Sequence, residues 1–245
     1  MHDGALIEVI NATKRYGASF VAADHLNFSV KGGEIVGFVG ENGAGKTTTL
    51  KMLSGILKPD DGCVYIDGND IVVDSIKAKK SLAYVADSPD MFLRLKGIEY
   101  LNLMADIYGV SYDDRVMRID ELAGTFGIKD VLGESISSLS HGMRQKLMIS
   151  AALLHEPPVW ILDEPMTGLD PYAAHELKEL MRSHAAKGNC VFFSTYVLEV
   201  AAGICDRIVI IKKGHIIFND SLEKLEENFP GKTLEEIFLE YVRDN

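Results

Sequence analysis

Gly40-Glu41-Asn42-Gly43-Ala44-Gly45-Lys46-Thr47 is the stretch on which the reading of this chain turns. It fits G-x-x-x-x-G-K-S/T in full. The apolar run Ile35–Val39 before it reads as a strand and residues 47–55 after it as a helix, which is the setting this motif requires. Glycines at 40, 43 and 45 let backbone N–H groups curl around phosphate oxygens, and the helix N-terminus adds positive potential. Lys46 is expected to reach the β- and γ-phosphates of ATP, with Asn42, Ala44 and Thr48 in the same cradle and the Thr47 hydroxyl on Mg²⁺. A plain Gly-rich turn is the alternative, and the flanking strand and helix argue against it.

A second stretch, Val159-Trp160-Ile161-Leu162-Asp163-Glu164, is an apolar strand that ends in two acids. Such a strand delivers a carboxylate to its C-terminal edge, beside the phosphate loop. Asp163 is placed to hold Mg²⁺, directly or through water, and Glu164 to polarise an attacking water. Two solvated acids at a strand end would look the same in isolation; beside a complete phosphate loop the catalytic reading is favoured.

Around these two stretches the pattern is α/β. Short strand-like runs at 6–10, 26–30, 34–39 and 63–66 are separated by Gly, Asn and Asp turns. Almost wholly apolar runs at 159–162, 191–193 and 208–211 suit parallel strands covered on both faces. Leu147, Ala151 and Leu154 recur at helical spacing, as do Leu234, Ile237, Phe238 and Tyr241. Residues 88–155 carry helical signals and no convincing strand. The expected architecture is a P-loop NTPase core with a parallel sheet, an N-terminal antiparallel β subdomain and a helical insert subdomain. In one ATP-binding domain over 1–245, residues 1–87 and 156–245 form the RecA-like core with its antiparallel portion, and 88–155 the helical subdomain.

The whole-chain numbers bound this reading. The 245 residues are 47% hydrophobic and 25% charged, ordinary for a globular chain with a sizeable core. A net charge of −11 argues against a nucleic-acid binder, which needs clustered Lys and Arg. No apolar run approaches the roughly 20 residues that span a bilayer, and Met1–Ala5 shows no secretory pattern. The three cysteines are odd in number and lack C-x-x-C spacing, so a reducing, cytoplasmic setting is expected. Any membrane role must then come through a partner.

Leu139-Ser140-His141-Gly142-Met143 precedes an amphipathic helix, and Ser140 there is a natural N-cap. With this segment in place the chain resembles the ATP-binding subunit of an ABC transporter over nearly its whole length, most nearly the short bacterial export-type subunits. Family members carry Leu-Ser-Gly-Gly-Gln at this point; Leu139, Ser140 and Gly142 match, while His141 and Met143 depart. The resemblance implies that Ser140 and Gly142 cap the γ-phosphate of ATP held by a second ATP-binding subunit, in a homo- or heterodimer. A hydroxyl and free helix N–H groups suit an anion. Tyr16 resembles the aromatic that stacks on adenine, with a packing tyrosine as the alternative. Asp170, in Gly168-Leu169-Asp170, resembles a contact to the opposite subunit and can equally cap the helix that follows.

Two positions depart from the family further. Where it usually has Gln, touching Mg²⁺ and the attacking water, this chain has Asp87. A carboxylate can still ligate Mg²⁺ but adds negative charge near the γ-phosphate, and an Asx turn into Ser88-Pro89 is the competing reading. Where the family usually has His, on the γ-phosphate, this chain has Tyr196, a weaker substitute or a sign of impairment. The implied function is an ATPase that powers an ABC transporter, an exporter, by ATP-driven dimer closure. The alternative is a regulatory subunit with weak hydrolysis. The implied partner is an integral membrane permease, holding the chain peripherally on the inner face of the cell membrane. It would dock near the helical insert, where Met91, Phe92 and Leu93 are either exposed contacts or ordinary core.

Overall fold

The computed structural model describes residues 4–17, 19–88, 90, 92–229 and 231–244; the side chains at 226, 228, 239 and 241–244 are outside that description. The chain begins with two long strands, β1 (Ala5–Tyr16) and β2 (Phe20–Lys31), and a short one, β3 (Ile35–Val39). The phosphate-loop stretch leads into α1 (Lys46–Leu53), followed by β4 (Asp61–Ile66), β5 (Asn69–Asp70), α2 (Ser75–Lys80) and β6 (Leu82–Val85). Three helices come next: α3 (Gly97–Tyr108), α4 (Tyr112–Thr125) and α5 (His141–Leu153). Strands and helices then alternate through β7 (Val159–Asp163), α6 (Pro171–Ala186), β8 (Cys190–Thr195), α7 (Leu198–Ala202), β9 (Arg207–Lys212) and β10 (His215–Ser221). The chain closes with α8 (Leu222–Asn228) and α9 (Leu234–Asp244).

Two sheets result. One is antiparallel, in the order β2-β1-β4-β5. The other, in the order β10-β9-β3-β8-β7-β6, is parallel except for its edge strand β10. The parallel strands are mostly apolar along their middles because both faces are covered, with polar residues such as Asp163, Ser194 and Arg207 at their ends. Val36, Phe38, Ile161, Phe192 and Val209 pack on the side of the antiparallel sheet and α1. Ile35, Val39, Trp160, Leu162 and Phe193 pack on the opposite side, against α5 and α6. Phe28 of β2 stacks on Phe192 at 5.4 Å between centroids, and Phe38 lies 5.3 Å from Phe192, so aromatic rings tie the two sheets together.

Between residues 88 and 155 the regular structure described is helical apart from one isolated bridge, Lys96 to Ser135. Helix α4 starts on Ser111, whose side chain accepts from the Asp114 N–H, with Asp113 and Asp114 favourably placed in the first turn. Each strand-like run of the sequence lies inside a strand, except that Glu34 precedes β3. The first two are longer than their apolar patterns because register shifts at Val9/Ala12 and near Lys14 carry pairing past polar residues. Strand β10 escapes a reading by alternation, since Ile216, Ile217 and Phe218 are consecutive and all only partly buried. Cys190 and Cys205 are buried and Cys63 partly so, all as free thiols. Among the described residues no helix is long and apolar enough to cross a membrane.

Candidate functional site

The parallel sheet brings the C-terminal ends of β3, β6 and β7 to one edge, and residues that follow each of them line one cleft. It is lined by Asn42, Gly43, Gly45, Lys46, Thr47 and Thr48 from the loop after β3 and the start of α1, and by Asp87 and Glu164. Gly45 is required by both conformation and space. Its φ is 110°, and a Cβ there would sit 2.1 Å from the Ala22 carbonyl oxygen. Gly43 also has positive φ, 83°, and Gly40 packs directly on Ile211, so the loop lies close against β9. Ala44 is buried, and its carbonyl accepts from the Gly214 N–H at 2.9 Å.

Lys46 is 6% exposed. Its ammonium donates to the Gly40 carbonyl at 2.7 Å and the Glu41 carbonyl at 3.3 Å, and lies 3.5 Å from Glu164 Oε1. A buried ammonium held mainly by carbonyls of its own loop is ready to exchange them for phosphate oxygens, which would satisfy it better. Asp163 is fully buried, with Oδ1 accepting from the Ser194 hydroxyl at 2.5 Å and Oδ2 without a hydrogen-bond partner. Burial pushes its carboxyl up, against Ser194 and Thr47, which hold it down; Asp87 adds to the upward push and Lys46 opposes it.

This donor set fits a divalent cation of the Mg²⁺ class. One buried carboxylate oxygen lacks a partner beside the Thr47 hydroxyl, and phosphates with water could complete an octahedron. Among the described residues there is no cluster of three or more His, Cys, Asp or Glu able to hold a metal.

Glu164 follows at the rim with a left-handed backbone, φ 47°, directly before Pro165, a combination costly for a non-glycine residue. Its N–H donates to the Ser194 hydroxyl at 3.0 Å, and its carboxylate accepts from the Tyr196 N–H. Burial raises its carboxyl, with Lys46 and the Tyr196 N–H opposing. Asp87 is exposed at the same cleft. The Tyr196 side chain is 54% exposed, so the contact to Glu164 is made by its main chain.

Tyr16 is not among the residues that line the cleft; it packs on Phe20 with centroids 6.4 Å apart, and Phe20, 56% exposed, does line it. Phe20 was not legible as a site residue, because in sequence it is an aromatic at a strand start with no motif around it. Ser194 was likewise missed: a single serine in an apolar strand gives no signal until β8 is paired with β7.

Ser140 and Gly142 are not among the lining residues either. Ser140 is exposed and caps α5, accepting from the Met143 N–H at 3.3 Å. A Cβ on Gly142 would lie 2.4 Å from the Gly168 carbonyl oxygen, so this helix start needs glycine to pack on the loop after Glu164. Asp170 caps α6, accepting from the Ala173 N–H at 3.0 Å, and pairs with Lys146 at 2.6 Å. Phe92 is partly exposed and packs at a tilt on Tyr100, Leu93 packs on the core, and Met91 and Pro89 lie outside the described residues.

The ABC transporter family model matches residues 23–167, more than half of the chain. YbhF, an ABC transporter ATP-binding protein of Escherichia coli, is 33% identical over 244 residues, 98% of this chain and 42% of YbhF; the chain thus spans less than half of that relative. The Nod factor export ATP-binding protein I of Burkholderia orbicola is 35% identical over 238 residues, 96% of this chain and 77% of the relative. A solved ATP-binding subunit of an ABC transporter superposes with a TM-score of 0.92 at 34% identity, covering 96% of this chain and 99% of that one. The phosphate-loop fold and these similarities agree: the chain belongs to the family of ABC transporter ATP-binding proteins.

Proposed function

We propose that this chain hydrolyses ATP at the cleft between the 40–48 loop and Glu164, and that it powers a membrane permease by closing against a second ATP-binding subunit. The observation that carries the reading is the convergence of Lys46, Thr47, Asp163 and Glu164, with Asp163 Oδ2 buried and lacking a partner. Gly40, Asn42, Gly43, Ala44, Gly45 and Thr48 shape the phosphate cradle. Lys46 moves from its loop carbonyls to the β- and γ-phosphates. Thr47 and Asp163 would hold Mg²⁺, with Asp87 at the rim; the ion, when bound, would neutralise phosphate charge and fix the γ-phosphate for in-line attack. Glu164, its carboxyl raised by burial and steadied by the Tyr196 N–H, takes the proton of the attacking water.

Closure against a second subunit is supported by the placement of Ser140 and Gly142. They stand at the N-terminus of α5, outside the chain's own cleft, with the Ser140 side chain exposed, where they suit the γ-phosphate of a partner's ATP. The antiparallel sheet and parallel sheet form the nucleotide-binding core in this reading, and residues 88–155 the helical subdomain. A permease segment would seat in an apolar cavity of about 490 Å³ beside Asp87, lined among others by Tyr84, Phe92, Tyr100, Met104 and Met148. The Tyr84 hydroxyl and His155 Nδ1, both buried without partners, offer it hydrogen bonds. That docking would hold the chain on the inner face of the membrane, and the relative named for Nod factor export supports export as the direction.

A second reading, a regulatory subunit with weak hydrolysis, is favoured by the exposed Tyr196 ring and the extra carboxylate of Asp87. Steady-state ATPase of the full chain, alone and with its permease, separates the two. Turnover abolished by Glu164→Gln supports the first. Tight ATP binding with no turnover in either setting supports the second.

A further inference from the structure

We infer that Ser194 is a positioning residue for hydrolysis, the link that fixes Asp163 and Glu164 relative to one another; this rests on the roles just proposed for those two acids. Strands β7 and β8 pair in parallel with Asp163 opposite Ser194. The Ser194 side chain, fully buried, therefore faces the end of β7. Its hydroxyl has one hydrogen, given to Asp163 Oδ1 at 2.5 Å, and it accepts the Glu164 N–H at 3.0 Å. An amide N–H can only donate and an ionised carboxylate can only accept. Among side chains of this size only a hydroxyl oxygen does both strongly.

Two consequences follow. Committing Oδ1 to Ser194 leaves Oδ2, which has no partner, as the oxygen free for Mg²⁺. Holding the Glu164 N–H pins the left-handed backbone at φ 47° from which the side chain reaches the cleft. The rest of the strand end works in the same sense. The Tyr196 N–H steadies the Glu164 carboxylate, and Thr195 Oγ1 accepts from the Val197 N–H at 3.0 Å, fixing the turn between them. The end of β8 thus orients both acids through one hydroxyl and one main-chain amide.

The test uses the full chain with Ser194→Ala. Calorimetry of ATP in chelator reports whether the fold and cradle survive, and the same titration with Mg²⁺ reports the metal-dependent part. The expectation is unchanged metal-free affinity, a loss of about tenfold in the Mg²⁺-dependent gain, and hydrolysis slowed about ten- to a hundredfold, as for loss of a charge-assisted hydrogen bond. Native values for both, to within about twofold, would overturn the inference. If Ser194→Ala loses metal-free binding as well, Ser194→Cys decides, because it keeps the size and offers only a weak donor. A slowed Cys variant with intact metal-free binding supports the positioning role; a Cys variant at the native rate overturns it. Glu164→Gln at the native rate would instead remove the site reading itself, and this inference with it.

Discussion

Tyr196→His asks whether the side chain at the end of β8 touches the γ-phosphate. Tyrosine offers one neutral O–H donor, whereas histidine can carry charge near neutral pH and make a charge-assisted bond. The two kinds of bond differ by about 1–2 kcal/mol. The Tyr196 ring is 54% exposed, so water screens part of the gain, and the lower figure, about 1 kcal/mol or about fivefold in rate, is the expectation. The acceleration should grow as pH falls from 8 towards 6, because the imidazolium is the stronger donor. Tyr196→Phe should slow the reaction only about two- to fivefold, since a ring this exposed leaves no buried group unsatisfied. Both variants keep the main-chain N–H that steadies Glu164, so neither disturbs the proposed base. Single-turnover hydrolysis with the chain in excess over ATP, followed by acid quench at pH 6, 7 and 8, measures the chemical step. If neither substitution moves the rate while Glu164→Gln stops it, the Tyr196 side chain is not at the γ-phosphate. A Phe variant as dead as Glu164→Gln would refute the magnitude instead.

Lys46→Ala should weaken MgATP binding about a hundredfold by calorimetry. Two charge-assisted phosphate bonds are lost, partly offset because the native ammonium must first leave two loop carbonyls; native affinity would remove the phosphate-loop assignment. Glu164→Gln should keep MgATP binding, lower hydrolysis more than about a hundredfold and let a dimer accumulate, seen by light scattering and by cross-linking at Ser140. In the native chain the base is lost as pH falls through the raised Glu164 value. The acid limb of the rate should therefore lie above the ordinary carboxylate value of 4.5; a limb at or below it would argue against Glu164 as the base. Phe20→Ala should weaken ATP by about 1–3 kcal/mol, the worth of one stacked base, and leave tripolyphosphate binding unchanged. Tyr16→Ala should do less, because Tyr16 does not line the cleft; the reverse order would return the stacking role to Tyr16.

Much of the site is readable before folding because its parts are local. A phosphate cradle is built from consecutive backbone amides, so 40–48 carries its own geometry in its glycines, and Gly45 at φ 110° is the residue the conformation demands. An acid at the end of an apolar strand announces its edge position in the same way, which is why Asp163 and Glu164 are legible. The parallel strands are legible too, since burial on both faces leaves only apolar residues in 159–162, 191–193 and 208–211. Strand β10 was not, because its partly buried residues neither alternate nor run apolar for long enough.

The amino-acid order by itself thus determined the fold class and marked the glycine-rich loop and the two acids beside it, since each is a property of a few consecutive residues. Only the tertiary structure decided which other side chains join them. Pairing of β7 with β8 sets Ser194 against Asp163 across 31 residues of sequence. Return of β2 over the loop brings Phe20, rather than Tyr16, to the cleft. The turn after β8 presents the Tyr196 main chain to Glu164 and leaves its ring largely in solvent. These are contacts between distant segments, fixed by strand register and by which face of a sheet is covered, and no local pattern of residues encodes them.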